Sequence, residues 1–355
     1  MLFSYTYVHH SMEKMQEFIK SIFEVWCIAP FGQEFSLELF EGDTEIKDIL
    51  SHFGFAANAP ERGRKFYQDV KCIYALFSGL NSSAIDQLKE WYCANNDIEK
   101  VCANDPETKI AIYADIAGIN PDLSKELSSF FKGLYSKELL DLAELRDKIG
   151  RIDEHYKAFM QVNSIDICPF CGLSHLKGVH HTKREAYDHF LPKASYPFNT
   201  INFHNLAPAC NECNSSYKLG KDPVHNATGR RKAFYPYASV NPNIEIHVEL
   251  NHSDIDNLNP EDIRLTFEPD VVRDEIDTWR EIYGIDERFR AKCCGADAKA
   301  WLEEVRILQD IYNIEPAESL SIVQKQTEHD PVANINFLKK AFLNGCNRVG
   351  LLNLI

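Results

Sequence analysis

Long apolar runs are missing from this chain of 355 residues, and so is an export signal at its start. No apolar stretch approaches the roughly 18 residues that a membrane-spanning helix needs. The first residues, MLFSYTYVHHSMEK, contain neither a basic region followed by an apolar core nor a small-residue cleavage site. These absences predict a cytoplasmic protein without a membrane partner.

A disulfide framework is not expected either. The 11 cysteines are odd in number, and no export signal precedes them. Seven of them lie on apolar or helical stretches, where a reduced cysteine is a small buried hydrophobic residue. We assign no function to these seven: Cys27, Cys72, Cys93, Cys102, Cys293, Cys294 and Cys346.

Basic residues are scarce, since 38 Lys and Arg stand against 53 Asp and Glu, and the net charge is −15. So acidic a chain is, as a whole, a poor partner for nucleic-acid phosphates. The stretch 166–232 is the exception, because nine basic and five acidic residues give it a formal charge of +4 and leave −19 for the rest. This basic segment also contains the remaining four cysteines.

Hydrophobic periodicity predicts an α+β fold that is mostly α, in which a helical scaffold carries an embedded metal-binding module and a short β-ribbon. The length favours more than one unit. We expect a helical N-terminal domain at 1–160, a central module at 161–235, and a C-terminal region at 236–355 with two strands followed by helices.

Within the N-terminal domain, Ser11 is the predicted cap of the first amphipathic helix. Apolar residues spaced by three and four over 142–159 predict one continuous helix with a single apolar face. A short alternating stretch at 35–39 predicts a strand.

The C-terminal region begins with strict alternation of apolar and polar residues at 244–250 and again at 263–267, which predicts two paired strands. A helix capped by Asp297 should then stop at Pro316, and a last helix should end at Gly345.

Two CxxC pairs, CPFC at 168–171 and CNEC at 210–213, are separated by 38 residues. Two such turns can bring four thiolates to one ion, and a tetrahedral shell of four sulfurs is a shell that structural zinc prefers. Unrelated turns or a redox pair remain an alternative, although no thioredoxin-like unit is visible. A closed shell leaves any catalytic metal to bind elsewhere. The predicted zinc ligands are Cys168, Cys171, Cys210 and Cys213.

Three short motifs lie between and after the pairs: YDHFLPK at 187–193, NLAPAC at 205–210 and CNSSYK at 213–218. In this order they resemble the zinc-knuckle branch of the HNH (ββα-metal, His-Me finger) endonucleases, in which CxxC, DH, N and CxxCN follow one another. The resemblance covers roughly fifty residues.

The resemblance implies a metal-dependent endonuclease that hydrolyses phosphodiester bonds of DNA, with a ββα-metal module. It implies that His189 is the general base, that Mg²⁺ or Mn²⁺ binds Asp188 and Asn214, and that Asn205 holds the loop carrying the base. A histidine suits the base role because its pKa lies near neutrality. The third motif position is asparagine rather than histidine, which bears on metal preference.

Two lysines are the expected contacts for substrate phosphates. Lys218 follows Asn214 by four residues, so on a helix both side chains project from one face. Lys193 ends the DHFLPK motif and is the second expected contact.

A looser resemblance, through CPFCG and FYPYA at 234–238, is to the HNH components of Septu and retron-linked anti-phage systems. It implies a bacterial defence effector regulated by a protein partner such as an ATPase. Two other readings remain open: a non-catalytic zinc module that binds nucleic acid or protein, and an RNA or tRNA nuclease. The sequence leaves undetermined the sugar, the cleavage specificity, the oligomeric state, the partner and the role of the N-terminal region.

Overall fold

Helices dominate the computed structural model, which describes residues 1–352. The fold is α+β and mostly α, as predicted. In the N-terminal part the helices are α1 Lys14–Ile28, α2 Thr44–Phe55, α3 Glu61–Ser78, α4 Ser82–Asn96, α5 Ile98–Cys102, α6 Tyr113–Ile119, α7 Pro121–Leu134, α8 Lys137–Leu140, α9 Ala143–Ile149 and α10 Ile152–Val162.

The strands of the described residues form three two-stranded antiparallel sheets. They pair β1 Ala186–His189 with β2 Leu206–Ala209, β3 His225–Asn226 with β4 Gly229–Arg230, and β5 Glu245–Leu250 with β6 Ile263–Glu268. The C-terminal helices are α11 Arg273–Tyr283, α12 Ile285–Cys293, α13 Ala296–Tyr312, α14 Pro316–His329 and α15 Asn336–Arg348. Among residues 1–352, no helix has both the length and the apolarity that crossing a bilayer requires.

One continuous apolar core runs through the N-terminal, central and C-terminal parts. Phe198, from the loop between β1 and β2, is fully buried among aromatic rings of the helical region. Its ring centroid lies 5.4 Å from those of both Phe23 and Phe131. The central hairpin is therefore anchored in the helical scaffold by roughly 2–3 kcal/mol for this side chain alone. The three-domain division stays a prediction.

The predicted continuous helix over 142–159 is wrong, because the chain breaks between α9 and α10 at Gly150. Gly150 has a φ of +75°, and a Cβ there would lie 2.7 Å from the Ser11 hydroxyl. Both helices turn apolar residues such as Leu145 and Phe159 toward the same core. This shared core is why the periodicity continued across the break.

Two smaller N-terminal predictions are also wrong. His10, not Ser11, caps the first turn, since its Nδ1 accepts a hydrogen bond from the Met12 amide at 3.2 Å. The Ser11 hydroxyl instead donates to the Ile149 carbonyl at 2.8 Å. The stretch predicted as a strand at 35–39 enters a short 3₁₀ helix, Leu37–Phe40.

The paired strands at 244–250 and 263–267 are confirmed as β5 and β6. The helix ends differ from the prediction. Asp297 lies in the first turn of α13 rather than at its cap, and Pro316 begins α14, where its missing amide costs nothing. Gly345 lies inside α15 and not at its end. A Cβ at this position would come within 2.6 Å of the Val248 carbonyl oxygen of β5, which explains why the residue is glycine. The glycine allows close packing of helix on strand instead of ending the helix.

Candidate metal centre and active site

The two CxxC pairs come together in the structure. All four cysteines are buried, and their sulfur atoms lie within 4.8 Å of one another. The Cys171 and Cys210 sulfurs are 3.9 Å apart, close to the separation of about 3.8 Å that a tetrahedral site with Zn–S bonds of about 2.3 Å requires. The amides of Leu173 and Cys213 point at these two sulfurs from 3.4 Å. This cluster could hold a structural zinc ion, in agreement with the prediction.

Arg288 completes the surroundings of the cysteine cluster, and the sequence analysis missed it. Its guanidinium donates to the Cys213 sulfur at 3.3 Å and to Glu212 at 2.9 Å, and its side chain is only 5% exposed. Four thiolates around Zn²⁺ carry a formal charge of −2, which the buried guanidinium partly offsets. Arg288 belongs to α12, far along the chain, so no local motif could have indicated it.

A β-hairpin followed by a helical turn carries the candidate catalytic residues. Asp188 and His189 end β1 and pair with Ala207 and Leu206 of β2. After β2 the chain enters a π-helical segment, Cys213–Lys218, whose wider turn is a feature often found at functional sites.

The carboxylate of Asp188 is held by Lys218. The Lys218 ammonium donates to Asp188 Oδ1 and to the His189 carbonyl, both at 2.8 Å. The Asp188 side chain is 4% exposed and the Lys218 side chain is 1% exposed. The second carboxylate oxygen, Asp188 Oδ2, is buried without a hydrogen-bond partner within residues 1–352. The sequence predicts a phosphate contact for Lys218; the structure places its ammonium inside the protein, on the proposed metal ligand.

The imidazole of His189 is oriented by a backbone carbonyl. Its Nε2 lies 3.0 Å from the Thr200 oxygen, which can only accept, so Nε2 carries the hydrogen and Nδ1 is the basic nitrogen. Burial, together with the smaller effect of the nearby Lys193 and Lys218 ammonium groups, lowers the pKa of His189 to about 3. The ring is therefore neutral at physiological pH.

Asn205 forms hydrogen bonds with the start of the loop that leads from β1 to Thr200. Its side-chain oxygen accepts from the Leu191 amide at 2.7 Å, and its amide donates to the Leu191 carbonyl at 3.1 Å. From the helical region, Asn95 donates to the Pro197 carbonyl at 3.1 Å. The loop that carries the Thr200 carbonyl is thus held at Leu191 and at Pro197, a role that sequence reasoning anticipated only for Asn205.

Asn214 is partly exposed in the first turn of the π-helical segment, one turn before Lys218. The Lys193 ammonium lies over the ring of Tyr135, 5.9 Å from its centroid. The Tyr135 ring itself packs edge-on against His189 at 4.8 Å between centroids. Tyr135 follows α7 of the helical region, outside the motif span, and was not predicted.

Several basic residues of the segment 166–232 contact acidic or backbone groups of the protein itself. Lys177 pairs with Glu185 at 2.7 Å and Arg184 with Asp153 at 2.8 Å. Arg230 donates to backbone carbonyls of the helical region. The formal charge of +4 therefore overstates the positive charge that is free to meet a phosphate.

The chain is similar over part of its length to a known protein. The chain is 40% identical over 86 residues to Protein ea31 of Escherichia phage lambda, which is 23% of this chain and 26% of that protein. The matched stretch therefore spans about a quarter of the relative. No family model matches the chain, and no solved structure matches it.

Proposed function

We propose that this protein is a metal-dependent endonuclease of the HNH type that hydrolyses phosphodiester bonds of DNA. The observation that carries the proposal is the arrangement around His189. A carbonyl fixes its Nε2, and its Nδ1 is left as the basic nitrogen. The adjacent Asp188 has one carboxylate oxygen with no hydrogen-bond partner among residues 1–352.

His189 supplies the proton acceptor in this proposal. Its neutral Nδ1 takes the proton of the attacking water. A free base of pKa about 3 would accept that proton poorly, but two of the groups that lower the pKa are cationic lysines. A substrate phosphate beside Lys193 offsets one of these charges and raises the basicity of the imidazole when the substrate is in place.

Asp188 and Asn214 are the residues that would hold Mg²⁺ or Mn²⁺. The fit rests on chemistry, because an unpaired buried carboxylate oxygen and an amide oxygen are hard ligands of the kind these ions prefer. Such a cation stabilises the negative charge that gathers on the phosphate and the leaving oxygen. Lys218 orients the Asp188 carboxylate through its hydrogen bond to Oδ1.

The cysteine cluster has a separate, structural role. It joins the start of the central segment to the π-helical segment that carries Asn214, so bound zinc would fix the position of the predicted metal ligand. Its four sulfurs leave no open coordination position for catalysis.

The biological setting that we propose is partner-regulated anti-phage defence. The strongly acidic chain outside the basic segment would repel a duplex, which favours a partner that supplies positive charge or controls access, such as an ATPase. Unchanged phage plating after deletion of the gene beside its intact neighbours would count against this setting.

The test of the enzymatic proposal is cleavage of supercoiled plasmid by the wild type, His189→Ala and the control His181→Ala. His181 is an exposed histidine of the same segment. Cutting that needs added Mg²⁺ or Mn²⁺ and disappears only in His189→Ala is expected, with equal zinc content in all three proteins. A parallel RNA substrate tests the RNA nuclease alternative. No cleavage of either substrate, together with retained binding, would favour the non-catalytic zinc module.

A further inference from the structure

The helical region contributes a side chain to the surroundings of the proposed base. Tyr135, directly after α7, places its ring perpendicular to the His189 imidazole, with an interplanar angle of 88°. Its hydroxyl is buried and has no hydrogen-bond partner among the residues that the structure describes. A buried hydroxyl without a partner costs stability, roughly 1–3 kcal/mol, so its presence calls for an explanation.

Tyr135 also lines a cavity of about 150 Å³, which is large enough for several water molecules. Arg184, Lys137, Asp141 and Asp153 line the same cavity. Tyr135 thus contacts both this cavity and the proposed catalytic histidine, and the cavity presents two cationic and two anionic side chains.

We propose that this cavity binds a phosphate group of the nucleic-acid backbone next to the scissile bond, with Arg184 supplying the charge and a rotation of the Tyr135 ring bringing its hydroxyl, which is buried in the free protein, to donate to a phosphate oxygen. The inference rests on the proposed endonuclease function and adds a substrate-contacting residue from outside the motif span. Lys193, above the same tyrosine ring, extends the positive charge toward His189.

A phosphate that enters this cavity has to replace a carboxylate as the partner of a cationic side chain. Asp141 and Asp153 offset Lys137 and Arg184, so a phosphate must replace a carboxylate. Asp153, the carboxylate that pairs with Arg184, is easily replaced, because its side chain is 73% exposed and such an ion pair contributes little to stability. A phosphate gives the guanidinium two parallel charge-assisted hydrogen bonds, and it leaves Asp153 free to return to water.

The first experiment compares Tyr135→Phe with Tyr113→Phe in the full chain. Tyr113 is a matched control, since its hydroxyl is also buried and unpaired and a lysine also lies over its ring. Binding of labelled duplex DNA and of single-stranded RNA is measured without added Mg²⁺ or Mn²⁺. We expect Tyr135→Phe to weaken this binding by roughly tenfold or more and, in cleavage assays with added Mg²⁺, to raise KM more than it lowers kcat. Its melting temperature should be no lower than that of the wild type, because the substitution removes a buried hydroxyl that has no partner among residues 1–352. Tyr113→Phe should behave as the wild type.

The second experiment measures the salt dependence of binding for Arg184→Met and for Arg146→Met, a partly exposed arginine of α9 outside the cavity. Loss of one phosphate contact should reduce the slope of log K against log salt by about one in Arg184→Met only. If the wild type binds and cleaves while both cavity variants match their controls, the subsite is overturned and the nuclease proposal stands. If the wild type binds neither nucleic acid, both fail together.

Discussion

Replacing Lys218 by methionine removes the cation from the most buried ion pair of the candidate site. The substitution keeps much of the side-chain volume but leaves the Asp188 carboxylate and the His189 carbonyl without their common donor. Both members of the pair are almost fully buried, so solvent cannot take over the role of the ammonium. Breaking such a pair from one side costs about 3–5 kcal/mol in the free energy of unfolding.

Lys339→Met is the matched control. Lys339 is also nearly buried and contacts Glu304 at 2.6 Å, but the Glu304 side chain is 46% exposed and can be hydrated when the lysine is lost. The ion-pair part of its loss should therefore be about 1 kcal/mol or less. Urea unfolding followed by circular dichroism gives both values on the same scale.

The double variant Lys218→Met with Asp188→Asn identifies the cause. Removing the stranded charge should recover part of the lost stability. Added Mg²⁺ should stabilise Lys218→Met more than the wild type, because a cation can then also meet Asp188 Oδ1, which the Lys218 ammonium occupies in the wild type. A loss for Lys218→Met no larger than for Lys339→Met, or no recovery in the double variant, would refute the reasoning.

Three further predictions concern the zinc cluster, a buried histidine and the loop. Cys213→Ser should lose zinc and lower the melting temperature, measured by metal analysis and calorimetry; full zinc stoichiometry would contradict the four-cysteine site. Burial lowers the pKa of His155 to about 4, so the native ring stays neutral while the unfolded one protonates below about pH 6.5. The contribution of the neutral His155 ring to the free energy of unfolding is therefore fully present above pH 6.5 and is lost as the pH falls toward 4. In urea titrations at pH 6.5 and pH 4, His155→Gln should reduce this loss of unfolding free energy by about 3 kcal/mol. An equal loss in the wild type and the variant would disprove the prediction. Asn205→Ala leaves the Leu191 amide and carbonyl unpaired and should cost about 2–4 kcal/mol in the same assay, whereas an unchanged midpoint would show that the loop does not depend on it.

Local patterns were sufficient where the determining interaction is itself local. The mostly α composition, the β5–β6 pair and the clustering of Cys168, Cys171, Cys210 and Cys213 follow from periodicity and from the reach of two CxxC turns. The predictions of helix ends were wrong where a contact with a distant part of the chain determines the residue. At Gly345 the close approach of a strand, and not the end of a helix, explains the glycine.

The order of the motifs was enough to propose the side chains of a candidate catalytic site, but not the residues that hold those side chains in place. Tyr135, Asn95 and Arg288 reach the site from helices far along the chain, and only packing of the shared core brings them there. The role of Lys218 shows the same limit. Its position in the motif is visible in the sequence, whereas its burial depends on the π-helical segment closing against β1, where an ammonium ion finds a carboxylate and not solvent. The sequence by itself determined which residue types the candidate site contains, because residue types and spacings are local. The tertiary structure decided the charge balance of the site and its access to solvent, because burial is a property of the whole fold.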